Sequence, residues 1–188
     1  MFFLIFLINY LYHNLAMLQE KLRDIISGYP NFPKEGILFR DLTPLFRDPI
    51  LFGELIEEML EIPIVKKSEC LIGVDARGFL FASCISNLMK KPLVLARKKG
   101  KLPGVLIEKS YELEYGKNVL TIQKDSIAKY DQFVVIDDLL ATGGTIKCIA
   151  EILASENKIL NGACVVVELL DLKARDIFDF PIYSQVQY

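Results

Sequence analysis

Residues 134–145 read VVIDDLLATGGT. Val134, Val135 and Ile136 are β-branched and apolar, which suits a buried strand. Two adjacent carboxylates, Asp137 and Asp138, follow, and Ala141, Thr142, Gly143, Gly144 and Thr145 then turn into a helical segment. The glycines let the main chain approach a ligand closely, the threonines bring hydroxyl donors, and a helix amino terminus offers unpaired N–H groups to an anion. Together these residues predict a cradle for one phosphate monoester. Asp137 and Asp138 are placed to accept hydrogen bonds from vicinal ribose hydroxyls. Successive strand residues face opposite ways, so at most one of the two does so unless the strand has already ended. Other phosphate patterns fit less well. No GxGxxG follows a strand, and Gly73 to Gly78 has P-loop spacing but leads into Phe79-Leu80 rather than Lys-Ser/Thr.

On either side of this segment, short apolar runs predict buried strands at Cys70–Val74, Pro92–Ala96, Phe133–Ile136 and Ala163–Leu169. Helical patterns at Gly78–Met89 and Gly144–Ser155 lie between them. Strands alternating with helices imply βαβ units and a parallel sheet covered on both faces. A further strand, Asn118–Gln123, is expected at an edge. Nearer the amino terminus, Leu18, Leu22, Ile25 and Ile26 recur at helical spacing from Met17 to Ser27, with Gly28 as a stop. A second helix is expected over Ile50–Glu61. The Pro- and Gly-rich residues 29–49 between them are expected to lack regular structure. In such a sheet the ligand site lies beyond the carboxyl ends of the strands. Those ends are residues 75–78, 97–104 and 137–145.

The chain has 188 residues, which suits one domain able to bury roughly 70% of its unfolded surface without disulfide or metal staples. With 22 basic and 24 acidic side chains, the net charge of −2 excludes a general polyanion binder, so any basic site is local and no nucleic-acid partner is expected. Cys70, Cys84, Cys148 and Cys164 lie in apolar stretches without metal-ligand spacing and read as small buried hydrophobes of a reducing compartment. The only histidine is His13, so histidine-dependent hydrolase chemistry is not expected.

Residues 1–15, MFFLIFLINYLYHNL, are shorter than the roughly 20 apolar residues of a membrane span and lack the positive start of a signal peptide. Three readings compete: an upstream extension preceding a true start at Met17, a weak membrane anchor, or an added helix. The first is favoured because nothing downstream looks secreted. The expected organisation is therefore an apolar extension over residues 1–16 and a single domain over 17–188, located in the cytoplasm.

DDLLATGGT resembles the phosphoribosyl-pyrophosphate (PRPP) signature of type I phosphoribosyltransferases. FPKEGILFRDLTPL (32–45), GVDARGFLFA (73–82), RKKGKLPG (97–104), YELEYG (111–116), VELLDLKAR (167–175) and the closing YSQVQY (183–188) are similar to the adenine phosphoribosyltransferases in particular. Ala82 stands where many members carry glycine, and residues 1–16 have no counterpart. The resemblance implies an α/β fold with a central parallel sheet flanked by helices, a small hood from the N-terminal segment and a mobile lid loop. It implies the reaction adenine + PRPP ⇌ AMP + pyrophosphate with Mg²⁺, the metal held mainly through PRPP oxygens and water rather than directly by the protein. A homodimer is expected, with no membrane partner unless the first 15 residues act as an anchor.

On this resemblance Arg77 offers a guanidinium fork to pyrophosphate; the competing reading pairs it structurally with a carboxylate such as Asp75. Lys98 and Lys101 belong to a basic, glycine-punctuated loop that reads either as a solvated charge run or as a lid over PRPP. Phe39 stacks on the purine while main-chain groups of Leu38 and Arg40 read its edge; the competing reading makes Phe39 an ordinary core aromatic. Glu114 either takes the N9 or N7 proton or is a plain surface acid, and Tyr115 positions either Glu114 or the leaving group. Rival readings are a transferase for a 6-oxopurine or orotate, and a PRPP-sensing regulator that does no chemistry.

Overall fold

The computed structural model describes residues 15–113 and 116–188, with the side chains of 111–117 outside that description. The chain forms two compact units that divide after Glu58.

In the first unit a helix over residues 15–25, α1, buries Leu18 and Leu22, as the helical spacing predicts. It ends two residues earlier than expected, because Ser27 already belongs to a strand. Residues 29–49 are not irregular. Strands β1 (Ser27–Pro30) and β2 (Leu38–Asp41) pair antiparallel, with Tyr29 opposite Phe39 and Gly28 opposite Arg40. A 3₁₀ turn, Thr43–Arg47, follows. Asp48 then starts α2 (Pro49–Glu61): its Oδ1 accepts the N–H groups of Ile50 at 3.2 Å and Leu51 at 3.0 Å, with Pro49 at the first helical position.

The second unit opens with α3 (Pro63–Lys67), followed by β3 (Cys70–Val74), α4 (Gly78–Met89) and β4 (Leu93–Lys98). Then come β5 (Leu106–Leu113), β6 (Gly116–Gln123), α5 (Lys124–Ile127), β7 (Gln132–Leu140), α6 (Gly144–Ser155), β8 (Ile159–Glu168) and β9 (Ile182–Gln187). Their order in the sheet is β5-β6-β4-β3-β7-β8-β9. β4, β3, β7, β8 and β9 run parallel, and β6 and β5 add antiparallel at one side. The residues at 118–123 are therefore an inner strand rather than an edge, and β5 forms the edge beside them.

Val134, Val135 and Ile136 of β7 are fully buried, as a central parallel strand requires. Ile146, Ile149, Ile152 and Leu153 of α6 join Ile72, Phe133, Val135 and Val165 in one apolar cluster. Each such side chain stabilises the fold by roughly 1.5–3 kcal/mol on burial. At the amino ends of the parallel strands, Lys91 Nζ donates to the carbonyls of Val65 (2.7 Å), Lys66 (2.6 Å) and Ser68 (2.5 Å). Nearby, Asn161 donates to Ser68 Oγ at 2.9 Å and to Gln132 Oε1 at 3.2 Å. Among the described residues no helix is long and apolar enough to cross a membrane.

Candidate active site

The carboxyl ends of β3, β4 and β7 gather most of the residues singled out from the sequence. Asp137 and Asp138 lie within β7, which runs on to Leu140, so the strand has not ended when it reaches them. Each is only 7% exposed. Asp137 Oδ1 accepts the N–H of Asp138 at 2.8 Å, while Asp138 Oδ2 sits 2.6 Å from an Arg77 guanidinium nitrogen. Burial pushes the Asp137 carboxyl well above the usual carboxylate range, and the adjacent Asp138 pushes it further. The two acids thus have different surroundings despite being neighbours in the chain.

Residues 141–145 then turn into α6. Gly143 precedes the helix at φ 81° with no side-chain cap, and its carbonyl accepts the N–H of Lys147 at 2.9 Å. Glycine is required here twice over. The angle disfavours a side chain, and a Cβ would lie 2.9 Å from Ile177 Cδ1 and 3.0 Å from Phe178 Cζ. With Gly143 so held, the first N–H groups of α6 precede its hydrogen-bond ladder and remain available to an anion. Thr142 is exposed beside them.

Arg77 stands at the start of α4, after the cis Asp75–Ala76 peptide. Gly78 explains its reach. A Cβ there would come 2.8 Å from Asp137 Oδ1 and 3.0 Å from the Ile136 carbonyl, so only glycine lets α4 begin hard against β7. Arg77 pairs with Asp138 rather than with Asp75. Asp75 instead accepts from Arg97 Nε at 3.1 Å, tying the end of β3 to that of β4. Arg97 also lies over the Phe79 ring at 5.6 Å and donates to the Lys101 carbonyl at 3.3 Å. Arg97 was not among the individually chosen candidates, since its partner lies 22 residues away. Lys98 ends β4 and Lys101 lies in the turn beyond it; both are exposed. Lys99 between them pairs with Glu108 at 2.7 Å.

Leu38, Phe39 and Arg40 occupy β2 of the first unit. Leu38 is exposed, and Phe39 meets Phe32 edge-on at 5.1 Å. Glu114 and Tyr115 lie outside the described residues. Among those described, no three His, Cys, Asp or Glu side chains cluster so as to hold a metal. All four cysteines are free, and Cys84 is only half-buried rather than buried as expected. Burial pushes the Cys70 thiol up to about 12 and the Cys148 thiol to about 11, so neither is a nucleophile at neutral pH.

Residues 51–179 match the phosphoribosyl transferase domain family. A Prochlorococcus marinus adenine phosphoribosyltransferase is 56% identical over 168 residues, covering 89% of this chain and 98% of the relative. One from Mycoplasmopsis agalactiae is 44% identical, covering 82% of this chain and 90% of the relative. The crystal structure of adenine phosphoribosyltransferase from Thermoanaerobacter pseudethanolicus superposes with a TM-score of 0.84 at 36% identity, covering 90% of this chain and 99% of that one. The Saccharomyces cerevisiae enzyme, complexed with an imino-altritol 1,6-bisphosphate and adenine, gives a TM-score of 0.81 at 35% identity, covering 90% and 99% of the two chains.

Proposed function

The chain belongs to the phosphoribosyl transferase family, among the adenine phosphoribosyltransferases, and on that premise we propose how its residues divide the work. It is a purine-salvage enzyme: it transfers the 5-phosphoribosyl group of PRPP to adenine, giving AMP and pyrophosphate. The geometry that carries this reading is the run of β7 through two buried carboxylates into the glycine-capped amino end of α6.

Residues 141–145 bind the 5′-phosphate, and Asp137 and Asp138 serve the ribose hydroxyls. Because the strand still runs at this point, Asp138 is the direct acceptor in this scheme and Asp137 stands behind it, bonded to its main chain. Arg77, Lys98 and Lys101 take the pyrophosphate. The C1–oxygen bond breaks with its electron pair leaving on pyrophosphate, C1 gains oxocarbenium character, and the adenine N9 lone pair forms the new bond. Cationic side chains around the departing group lower the barrier most when water is excluded. Glu114 receives the N9 or N7 proton, and Tyr115 positions either Glu114 or the leaving group. Phe39 stacks on the base. Main-chain groups of Leu38 and Arg40 favour the 6-amino group, since a 6-oxo base would leave a carbonyl acceptor unpaired.

Mg²⁺ fits this donor set as a substrate-borne ion, because it prefers phosphate oxygens and water to an all-protein cage. When bound, it neutralises charge on the pyrophosphate. Any water-mediated hold by the protein would come from Asp137 and Asp138. A homodimer is part of the proposal, supported by Leu80 and Leu88, which stand exposed two turns apart on α4, and by exposed Leu95 on β4. So are a single catalytic domain over residues 17–188, a hood from the N-terminal segment, closure of the basic loop as a lid, and a cytoplasmic location suited to four free cysteines.

The test gives the full chain PRPP, Mg²⁺ and equal adenine, hypoxanthine, guanine and orotate, with the nucleotide products resolved by chromatography. AMP alone is expected. Another nucleotide overturns the role of Phe39 and its neighbours, and PRPP binding without any nucleotide favours the regulator reading.

A further inference from the structure

We propose that Glu168 and Arg175 position the phosphate cradle, acting through Ile177 and Phe178 on Gly143. The inference rests on assigning residues 141–145 to the 5′-phosphate.

Glu168 is the last residue of β8, and its side chain is 3% exposed. A carboxylate closed off to that degree persists only when its lone pairs are filled. Here they are. Arg175 Nε donates to Oε1 at 2.8 Å and an Arg175 terminal nitrogen donates to Oε2 at 2.5 Å. Ser184 Oγ and Gln187 Nε2 of β9 add bonds to Oε2 at 2.6 and 3.1 Å. The other terminal nitrogen of Arg175 donates to the Ile182 carbonyl at 2.5 Å. One guanidinium thereby fastens the turn after β8 to both β8 and β9. The bidentate fork holds the Glu168 carboxyl below its usual range.

What this fastening holds is the 3₁₀ turn Ala174–Ile177, closed by the Phe178 N–H on the Arg175 carbonyl at 3.3 Å. Ile177 is 51% exposed, so core burial does not account for its place. Its Cδ1 and the Phe178 ring instead occupy the space over Gly143 that a side chain would need. Phe178 is in turn stacked on Phe180, with ring centroids 4.9 Å apart, and packs against the core. A second tie runs in parallel, since the Leu169 N–H donates to the Leu140 carbonyl at 3.0 Å just before the cradle begins. Fixing the turn therefore fixes Gly143, and with it the direction of the first N–H groups of α6. In this proposal these side chains act by holding the cradle rather than by binding the phosphate themselves.

The test uses steady-state kinetics of the full chain with PRPP and adenine varied separately, on Glu168→Gln, Ile177→Ala and the double variant, with Tm recorded for each. In Glu168→Gln the KM for PRPP is expected to rise about tenfold, with the KM for adenine within about twofold of wild type. Ile177→Ala is expected to shift the same constant in the same direction. The double variant is expected to be no worse than Glu168→Gln, because both act through one contact. A purely structural role would lower Tm and leave the PRPP KM alone, or raise both KM values together; either result overturns the proposal, as does strict additivity in the double variant. If Glu168→Gln fails to fold, Arg175→Lys replaces it, with the same KM split required. A wild-type chain that makes no AMP refutes the functional assignment. An active wild type with unchanged PRPP KM in the variants refutes only the positioning role.

Discussion

Arg77 and Asp138 face each other across the ends of α4 and β7 at 2.6 Å, so the cation assigned to pyrophosphate is held by the carboxylate assigned to ribose. Both groups are thus pre-placed in one small region, and in the proposed scheme PRPP competes with this ion pair for each of them. Replacing Asp138 removes the acceptor assigned to ribose and the 2.6 Å ion pair with Arg77. Asp138→Ala is expected to fold and to weaken PRPP binding by about 100-fold, the loss of one or two charge-assisted hydrogen bonds. Titration calorimetry at fixed ionic strength measures this, and an unchanged affinity rules out the ribose assignment.

Asp137 works against stability where it stands. Burial and the neighbouring Asp138 raise its folded pKa, so the folded state loses stability relative to the unfolded one as pH climbs from the ordinary Asp value through that raised value. Asp137→Asn keeps an oxygen to accept the Asp138 N–H and removes the penalty. Its Tm is expected to exceed that of wild type by about 3 °C at neutral pH, equivalent to roughly 1 kcal/mol in a chain of this length. The sign of the pH dependence follows. The gain shrinks as pH falls and vanishes below the ordinary Asp value of 3.8, where both states of the wild type are protonated. PRPP affinity is expected to fall in the same variant. Scanning calorimetry from pH 4 to 8 checks the slope, and a Tm at or below wild type throughout contradicts the pKa direction.

Glu114→Gln separates proton transfer from binding. Single-turnover AMP formation is expected to slow by about 10²–10⁴-fold while PRPP affinity stays within about twofold of wild type. A wild-type single-turnover rate would move the proton to another group.

Lys91 offers a test remote from the chemistry. Its ammonium caps three carbonyls around the end of α3, and no other side chain among the described residues takes its place. Lys91→Met is expected to cost about 2 kcal/mol in urea denaturation, with kcat unchanged at 25 °C. A midpoint equal to wild type would mean that water satisfies those carbonyls as well as the lysine does.

The second unit was legible in the sequence because a doubly covered parallel sheet writes each strand as a continuous apolar run. β3, α4, α6 and the core of β7 and β8 follow directly from that pattern. Polar residues hid the rest. Asp137 and Asp138 looked like the end of β7, yet the strand carries them on to Leu140. Glu108 and Lys109 break any apolar run in β5, and they pair with Lys99 and Glu151 from other elements. In β9, Ser184 and Gln187 are polar because they serve Glu168. The β1–β2 ribbon lies in Pro- and Gly-rich sequence, and its register is set by pairing that no local pattern encodes. At the site, the cradle was readable from its own residues. The contact of Ile177 and Phe178 with Gly143 was not, since over thirty residues separate them.

The polar fastening of Lys91, Ser68, Gln132 and Asn161 sits where the parallel strands begin, and the cradle sits where they finish. The strands thus set this fastening a full strand length away from the phosphate cradle. Replacements among these four residues change bonds that touch none of the residues assigned to phosphate, ribose or pyrophosphate. The same separation gives protein engineers a place to stabilise the sheet without altering a residue of the cradle.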